Sequence, residues 1–341
     1  MRVAMYYNNK DIRLEEMPVP EIGRDELLVK VMASGICGSD VIEWYRLPKA
    51  PRVLGHEISG EIVETGSAVK DYEEGQRVFV SHHVPCMECR FCQRENHTVC
   101  ETLRTTNFDP GGFSEYVRAP SINVEHGVYP LPDEVSHEQA VFIEPLACVI
   151  RGQKKVRGIE DGNMVVMGSG LTGILHVQLA KSRGASSVAC TDISDYRLEM
   201  ARKFGSDVAI PASDAVPDRL RDVFGGLLAD VVIVSTGARK AIEQSWSLVE
   251  WGGSVLFFAP TDPDTMIPMP FNDIWFKNVT ATTSYAAGRQ DILDAIELIA
   301  SRQIRVQEMI THRLGLGETA RGFDLVLRAA DSMKVIIEPQ N

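Results

Sequence analysis

The sequence predicts an α/β protein in two parts, a β-rich N-terminal domain followed by a doubly wound parallel sheet. Three observations carry that expectation. Residues 1 to about 150 hold short β-branched and aromatic segments punctuated by Gly and Pro. From about residue 160, strand-length apolar runs alternate with helical segments, the pattern of a parallel sheet covered on both faces. At 341 residues the chain is also long for a single core.

In the first part the strand candidates are Val3 to Tyr7, Ile12 to Glu15, Leu27 to Ala33, Ile58 to Glu64, Arg77 to Ser81 and Ser114 to Arg118. Pro18, Pro20, Gly23, Gly66, Gly75 and Pro120 separate them, as in a small barrel or sandwich. Between Val84 and Thr106 the apolar periodicity lapses and a loop is expected. In the second part Met164 to Met167 reads as a buried strand and Leu171 to Arg183 as a helix, with Leu175, Val177, Leu179 and Ala180 apolar. Strand Val188 to Thr191, helix Tyr196 to Phe204, strand Val208 to Ile210, helix Asp218 to Phe224 and strand Val231 to Val234 repeat that alternation. Helix Arg239 to Glu250 and strands Val255 to Phe258 and Val279 to Thr283 complete it. Beyond Asp291 come helix Ile292 to Ser301, a strand near Met309 to Leu314, helix Thr319 to Ala329 and strand Lys334 to Glu338. This tail could extend the second domain or return to the first.

Apolar content of 44% and charged content of 24% are those of an ordinary soluble globular protein. The first twenty residues hold no long apolar run and carry Arg2, Lys10, Asp11, Arg13, Glu15 and Glu16, so no signal peptide is expected. No stretch approaches the roughly 20 apolar residues of a membrane helix. A soluble, cytoplasmic protein is the expectation. The formal charge of −12 argues against nucleic acid as the main partner, because phosphate binding needs clustered positive charge. The acidity is read as serving solubility.

The glycine motif Gly168-Ser169-Gly170-Leu171-Thr172-Gly173 follows a strand and opens a helix. Its first two glycines allow a tight turn and close backbone approach, so a pyrophosphate can sit on the helix N-terminus. Asp192 lies nineteen residues past Gly173, at the end of the next strand. A carboxylate there can accept from both adenosine ribose hydroxyls and would repel a 2′-phosphate, which favours NAD over NADP. Arg197 is a further candidate for an adenine or ribose contact, with a solvated helix position as the alternative.

Of seven cysteines, Cys86, Cys89, Cys92 and Cys100 fall within fifteen residues, while Cys37, Cys148 and Cys190 stand apart. Without an export signal such clustering points to metal rather than disulfides. Four thiolates at these spacings can close a tetrahedral zinc site that leaves no open position, a device for fixing a lobe without its own core. A nucleic-acid-binding zinc knuckle fits poorly, because Arg90, Arg94 and Arg104 are matched by Glu88, Glu95 and Glu101. The stretch Gly35-Ile36-Cys37-Gly38-Ser39-Asp40, then Gly55-His56-Glu57, offers S, N and O donors close together, with Glu144-Pro145 further on. That mixture suits an open, catalytic zinc with one exchangeable position.

Together these residues resemble the zinc-dependent medium-chain dehydrogenases, most closely the polyol (sorbitol- or iditol-type) branch. The resemblance also covers Gly111-Gly112-Phe113-Ser114-Glu115-Tyr116-Val117, Leu131-Pro132-Asp133 and Glu144-Pro145-Leu146-Ala147, and so runs almost the whole chain. It implies a GroES-like catalytic domain over 1–150 with a structural zinc lobe at about 84–106. A Rossmann NAD-binding domain over 151–288 and a segment 289–341 returning to the first domain would follow. The active site would lie between the domains, in a homodimer or homotetramer built by pairing Rossmann sheets edge to edge.

The resemblance assigns Cys37 and His56 as catalytic zinc ligands, with Glu57 and Glu144 as the two carboxylates that alternate as third ligand. Glu144 ranks slightly ahead as the resting ligand. Asp40 would orient the histidine, and Ser39 would pass on the alcohol proton. Cys86, Cys89, Cys92 and Cys100 would hold the second zinc. Gly168, Gly170, Leu171, Thr172, Gly173, Asp192, Arg197 and Thr236 would contact NAD. The implied reaction is hydride transfer from a polyol or other secondary alcohol to NAD, giving a ketone. A threonine-type or acid-bearing alcohol is the alternative within the family, and a non-catalytic, zinc-stabilised nucleotide-binding regulator the alternative outside it.

Two departures stand out. Relatives often carry a histidine just after the Ser-Asp pair, ending a proton relay, whereas Val41-Ile42-Glu43-Trp44 follows here. Proton exit then falls to cofactor ribose and water, or to Glu43. The glycine loop also has Leu171-Thr172 where relatives often have Pro-Ile, a change expected to alter helix entry little. Trp44, Tyr45, Phe108 and Trp275 are aromatic candidates for the substrate wall. Arg46, Lys49 and Arg52 read as a solvated basic loop, with recognition of an acidic substrate group as the alternative.

Overall fold

The computed structural model describes residues 1–213 and 215–341, which form two compact units. The first comprises Met1–Ala147, Ala286–Ser301 and Val306–Asn341, and the second Cys148–Tyr285 with Arg302–Arg305.

The first unit is built on two sheets. A small antiparallel sheet pairs Arg2–Asn8 with Asp11–Glu16 and Arg52–Val53. The larger sheet runs in the order Ile310–Gly315, Lys334–Glu338, Leu27–Gly35, Glu57–Thr65, Arg77–Ser81 and Val128–Pro130, with Tyr116–Ala119 also paired to Leu27–Gly35. Leu27, Val29 and Val31 point one way, as a strand's period of two requires, into a core with Ile58, Ile62, Val78 and Phe108. Phe108 is thus a core residue and not a wall for substrate. The tail segment Lys334–Glu338 pairs antiparallel with the end of Leu27–Gly35, setting Ile336 opposite Gly35. On the other side of that strand Gly35 pairs with Glu57. The region expected as a loop holds the short helix Glu101–Thr105 and a three-residue buried cluster, Cys92, Cys100 and Leu103. That cluster is too small to order a twenty-residue excursion by burial alone.

The second unit is a six-stranded sheet with every pairing parallel. Its order is Val208–Pro211, Ser187–Asp192, Asn163–Met167, Ala229–Val234, Val249–Phe257 and Thr280–Thr283. Counted within the unit this is 3-2-1-4-5-6, whose direction reverses between the strands ending at Met167 and Val234. Val231–Val234 is buried throughout because helices cover both faces. Helix Arg239–Leu248 stops two residues earlier than expected, and strand Val249–Phe257 begins at once. The register shift opposite Ala229–Val231 accommodates the extra residues Glu250 to Gly253. Helices Ile143–Lys154 and Phe271–Lys277 have no counterpart in the sequence reading. The first carries Pro145 in its opening turn, where proline is tolerated but reads in sequence as a break.

His176 is fully buried in helix Leu171–Ser182, edge-on to Phe258 at 4.5 Å between centroids, and its Nε2 has no partner among the described residues. Burial lowers its pKa from 6.5 to about 3. The unfolded chain takes up this proton first, so His176 costs stability as pH falls from about 6.5 toward 3, by about 1.4 kcal/mol per unit. Melting His176→Leu and the parent protein between pH 7 and 4.5 should show the smaller loss in the variant. Parallel curves would contradict the assignment.

Candidate active site

Strand Leu27–Gly35 delivers the chain into a tight turn, Gly38–Val41, capped by the Cys37 sulfur. Ser39 N donates to Cys37 Sγ at 3.4 Å, and Asp40 Oδ2 accepts the Cys37 amide at 3.0 Å. The turn therefore fixes Cys37, Ser39 and Asp40 relative to one another. Asp40 is fully buried, and its Oδ1 lies 3.3 Å from His56 Nδ1. Burial disfavours a charged His56, but the Asp40 carboxylate and the Cys37 sulfur outweigh it and raise its pKa well above the usual value. The pocket stabilises positive charge at this point.

Cys37, His56 and Glu57 each offer a ligand atom, all within 4.8 Å of one another. Glu57 is buried completely. Its Oε2 accepts from Lys334 Nζ, also buried completely, while its Oε1 has no partner among the described residues. Lys334 in turn lies 5.5 Å from the centroid of the Phe142 ring. A Cβ added to Gly35 would strike Glu57 Oε2 and come within 3.2 Å of Lys334 Nζ, so only glycine leaves room for this pair. His56, His82 and Glu144 form a second trio of ligand atoms within 4.8 Å. Glu144 sits in the first turn of helix Ile143–Lys154, and His82 follows strand Arg77–Ser81 with its ring 4.7 Å from that of His56. Burial, then the charges of His83, His56, Arg46 and Arg52, push His82 well below the usual imidazole value. The thiol sulfur of Cys37, the imidazole of His56 and the carboxylate of Glu57, with ligand atoms within 4.8 Å of one another, suit zinc.

Arg46 is not part of a solvated loop. Its side chain is 14% exposed, its Nε donates to the Ser39 carbonyl at 3.0 Å, and its Nη2 donates to Ser39 Oγ at 2.9 Å and Asp40 Oδ1 at 3.1 Å. Trp44 and Tyr45 of the same segment are exposed. Trp275 is exposed on helix Phe271–Lys277 of the other unit, stacked edge-on against Phe276.

The sulfurs of the four-cysteine lobe approach in pairs, Cys86 to Cys92 at 4.0 Å, Cys89 to Cys92 at 3.6 Å and Cys86 to Cys100 at 3.6 Å. Tetrahedral Zn–S bonds of ~2.3 Å put sulfurs about 3.8 Å apart, whereas a disulfide needs ~2.05 Å. Burial pushes the Cys92 thiol up to about 12, so a divalent ion binding here must displace its proton.

In the second unit Gly168 follows strand Asn163–Met167 at φ +93, and a Cβ there would press on Ser235 and Thr236 at the sheet's switch point. Thr172 Oγ1 and Ser235 Oγ are 2.8 Å apart across it. Gly170 caps helix Leu171–Ser182 without a side-chain bond, and its Cβ would meet nothing nearer than the Arg197 guanidinium at 3.9 Å. That open cradle at a helix N-terminus fits a pyrophosphate. Gly173 is buried in the first turn. Asp192 Oδ2 accepts the Ser169 amide at 2.8 Å and Oδ1 the Ser194 amide at 2.9 Å, while Arg197 Nη1 stands 3.9 Å away.

Residues 23–133 match the family profile of the alcohol dehydrogenase GroES-like domain, and residues 172–301 that of the zinc-binding dehydrogenases. An L-threonine 3-dehydrogenase of Rhizobium johnstonii is 33% identical over 340 residues, 95% of this chain and 94% of that one. The chain belongs to the zinc-dependent medium-chain dehydrogenases. This dehydrogenase is also 29% identical to the sorbitol dehydrogenase of Bacillus subtilis, over 99% of its own length and 97% of the relative's. Among solved structures, one from Sinorhizobium meliloti 1021, described as a zinc-binding dehydrogenase bound to NADP, superposes with a TM-score of 0.89 at 29% identity, covering 99% of both chains. The first unit is accordingly GroES-like and the second a Rossmann domain. The protein is an alcohol dehydrogenase that uses zinc and a nicotinamide cofactor, which sets aside a non-catalytic regulator.

Sequence reasoning missed three residues here. Lys334 opens the strand Lys-Val-Ile-Ile-Glu, and a lysine leading an apolar strand was the available signal that a buried anion awaits it. His82 comes directly after a strand candidate and four residues before Cys86, a position the motif search did not weigh. Arg46 lies seven residues past Ser39, and only the turn and short helix Glu43–Arg46 fold it back.

Proposed function

We propose that this dehydrogenase oxidises a polyol or other secondary alcohol to a ketone at the expense of NAD. The observation that carries the reading is the trio Cys37, His56 and Glu57, whose ligand atoms lie within 4.8 Å of one another, with one Glu57 oxygen unpartnered among the described residues and the Ser39 hydroxyl donating to Cys37 Sγ at 3.4 Å. Cys37 and His56 would hold the catalytic zinc, with Glu57 or Glu144 as the alternating carboxylate. Cys86, Cys89, Cys92 and Cys100 would hold the structural one. When bound, zinc supplies a Lewis acid for the alcohol oxygen and the nicotinamide supplies the hydride acceptor.

The chain's own residues manage position and protons. Asp40 fixes the His56 ring and its tautomer through Nδ1. Ser39 Oγ would accept the alcohol proton while giving up its own hydroxyl proton. Arg46 donates to that same oxygen and so favours release of the Ser39 hydroxyl proton, but a guanidinium cannot itself accept a proton. Glu43 accepts the Asn9 amide at 3.3 Å. Water or the Glu43 carboxylate would then take the proton onward.

On the cofactor side, Asp192 at the end of strand Ser187–Asp192 supports NAD, because a carboxylate there would accept from the adenosine ribose hydroxyls and repel a 2′-phosphate. In Asp192→Ser the preference for NAD over NADP, as a ratio of kcat/KM, should fall by roughly ten- to a hundredfold, the range of a lost charged hydrogen bond. A wild-type enzyme with the lower KM for NADP would contradict this role. Oxidation of sorbitol, xylitol, small secondary alcohols and L-threonine, followed by NADH absorbance, tests the reaction. Failure to turn over any neutral polyol would remove the polyol assignment.

We place the enzyme in the cytoplasm as a homodimer or homotetramer. Strand Thr280–Thr283 is an open sheet edge, and Met266, Phe271, Trp275 and Phe276 are exposed in the segment before it. A second copy pairing edge to edge would cover both.

A further inference from the structure

Arg52, four residues before His56, is partly buried yet makes no ion pair and no side-chain hydrogen bond among the described residues. Lys49, in the turn Leu47–Lys49, also lacks an acidic partner, and its Nζ lies 5.8 Å from the centroid of the Tyr45 ring. The Arg46 guanidinium sits 4.7 Å from the same ring, but its donors are occupied by Ser39 and Asp40. The acidic residue of this segment, Glu43, accepts the Asn9 amide. Three cations therefore share one segment, and the two without partners, Lys49 and Arg52, follow the one that bonds to Ser39.

In a chain of net charge −12 this local excess runs against the overall trend. Taking a guanidinium partly out of water without an anion is unfavourable. Burial and repulsion from Arg46 depress the Arg52 pKa. Lys49 thus shares the Tyr45 ring with the Arg46 that bonds Ser39 Oγ, and Arg52 stands four residues before His56 in the chain.

We propose that the alcohol oxidised here carries an oxyanion, a carboxylate or a phosphate, and that Arg52 and Lys49 bind it while Arg46 holds Ser39. This deepens, and rests on, the assignment of Cys37, His56 and Ser39 to alcohol oxidation. The planar guanidinium of Arg52 can take two oxygens side by side, and Lys49 adds a point charge. Anchoring one end of the substrate selects which carbinol carbon is presented to the reacting centre, a choice that a neutral polyol with many equivalent hydroxyls leaves open.

The test compares three compounds of one carbon skeleton, ribitol, ribonate and ribitol 5-phosphate, at low and at 0.5 M salt, with the zinc-loaded wild type, Arg52→Gln, Arg52→Lys and Lys49→Ala. The expected wild-type result is a kcat/KM at least tenfold higher for one of the anions than for ribitol, falling with salt. The anion that wins distinguishes carboxylate from phosphate. Arg52→Gln should lower kcat/KM for that anion about ten- to a hundredfold more than for ribitol, chiefly through KM, with partial rescue in Arg52→Lys and a smaller loss in Lys49→Ala. Ribitol preferred over both anions, or equal losses on charged and neutral substrates, would overturn the proposal and leave the alcohol dehydrogenase reading intact. Thermal shifts with ribonate and ribitol 5-phosphate, without cofactor, separate the other case. If no compound is oxidised but an anion stabilises wild type and not Arg52→Gln, the anion site stands and the reaction assignment falls. Absence of any shift together with absence of turnover overturns both.

Discussion

Cys37→Ser is expected to lose one of two zinc ions per chain and to lower kcat for alcohol oxidation by roughly a thousandfold or more. The loss follows from removing the softest donor of the Cys37, His56, Glu57 trio. Lewis-acid stabilisation of developing charge on the alcohol oxygen contributes several kcal/mol, and each ~1.4 kcal/mol is tenfold in rate. The remaining ion should be the one among Cys86, Cys89, Cys92 and Cys100, so metal analysis gives one equivalent and the melting temperature changes little. Cys100→Ser should do the reverse in part, unfolding a lobe whose buried cluster is three residues. Unchanged metal content in Cys37→Ser would remove the assignment of the catalytic zinc.

Lys334→Met is expected to be the most destabilising single substitution near the site. It strands Glu57 as a fully buried carboxylate beside strand Leu27–Gly35. Breaking such a pair from one side costs ~3–5 kcal/mol, because the remaining charge has no solvent and no partner. In metal-free protein the first thermal transition should fall by on the order of 10 °C. Glu57→Gln combined with Lys334→Met should recover more than half of that loss, since no isolated charge is then buried. If the double variant melts no higher than Lys334→Met, the pair is not what holds the strands there.

Most of the sheet in the Rossmann unit was legible, because Val231–Val234 and Met164–Met167 are continuous apolar runs between turn signals. Helix Ile143–Lys154 was not, since Pro145 looks like a break unless its place in the first turn is known. Helix Phe271–Lys277 exposes its aromatic residues, so it lacks the apolar stripe that marks a helix packed on a core. The donors of the candidate metal site were visible as motifs because each lies in a short glycine-framed stretch. Their partners were not. Lys334 meets Glu57 across 277 residues of chain, and no local pattern encodes a contact at that range. Arg46 was misjudged for the opposite reason. A run of cations near a turn resembles solvated surface until the turn Gly38–Val41 shows its carbonyl and hydroxyl facing back.

The pairing of Lys334–Glu338 with Leu27–Gly35 also has a consequence for synthesis on the ribosome. Strand Leu27–Gly35 and Glu57 emerge early, but the cation that neutralises Glu57 emerges only after the entire parallel sheet has been translated. The parallel sheet has all its strands by residue 283 and can fold while the earlier unit waits with an open edge and an unmatched carboxylate. A nascent chain halted before residue 334 would hold the thiol and imidazole of the metal site on a sheet that lacks a strand. Pairing of Glu57 with its cation thus waits until residue 334 has been synthesised.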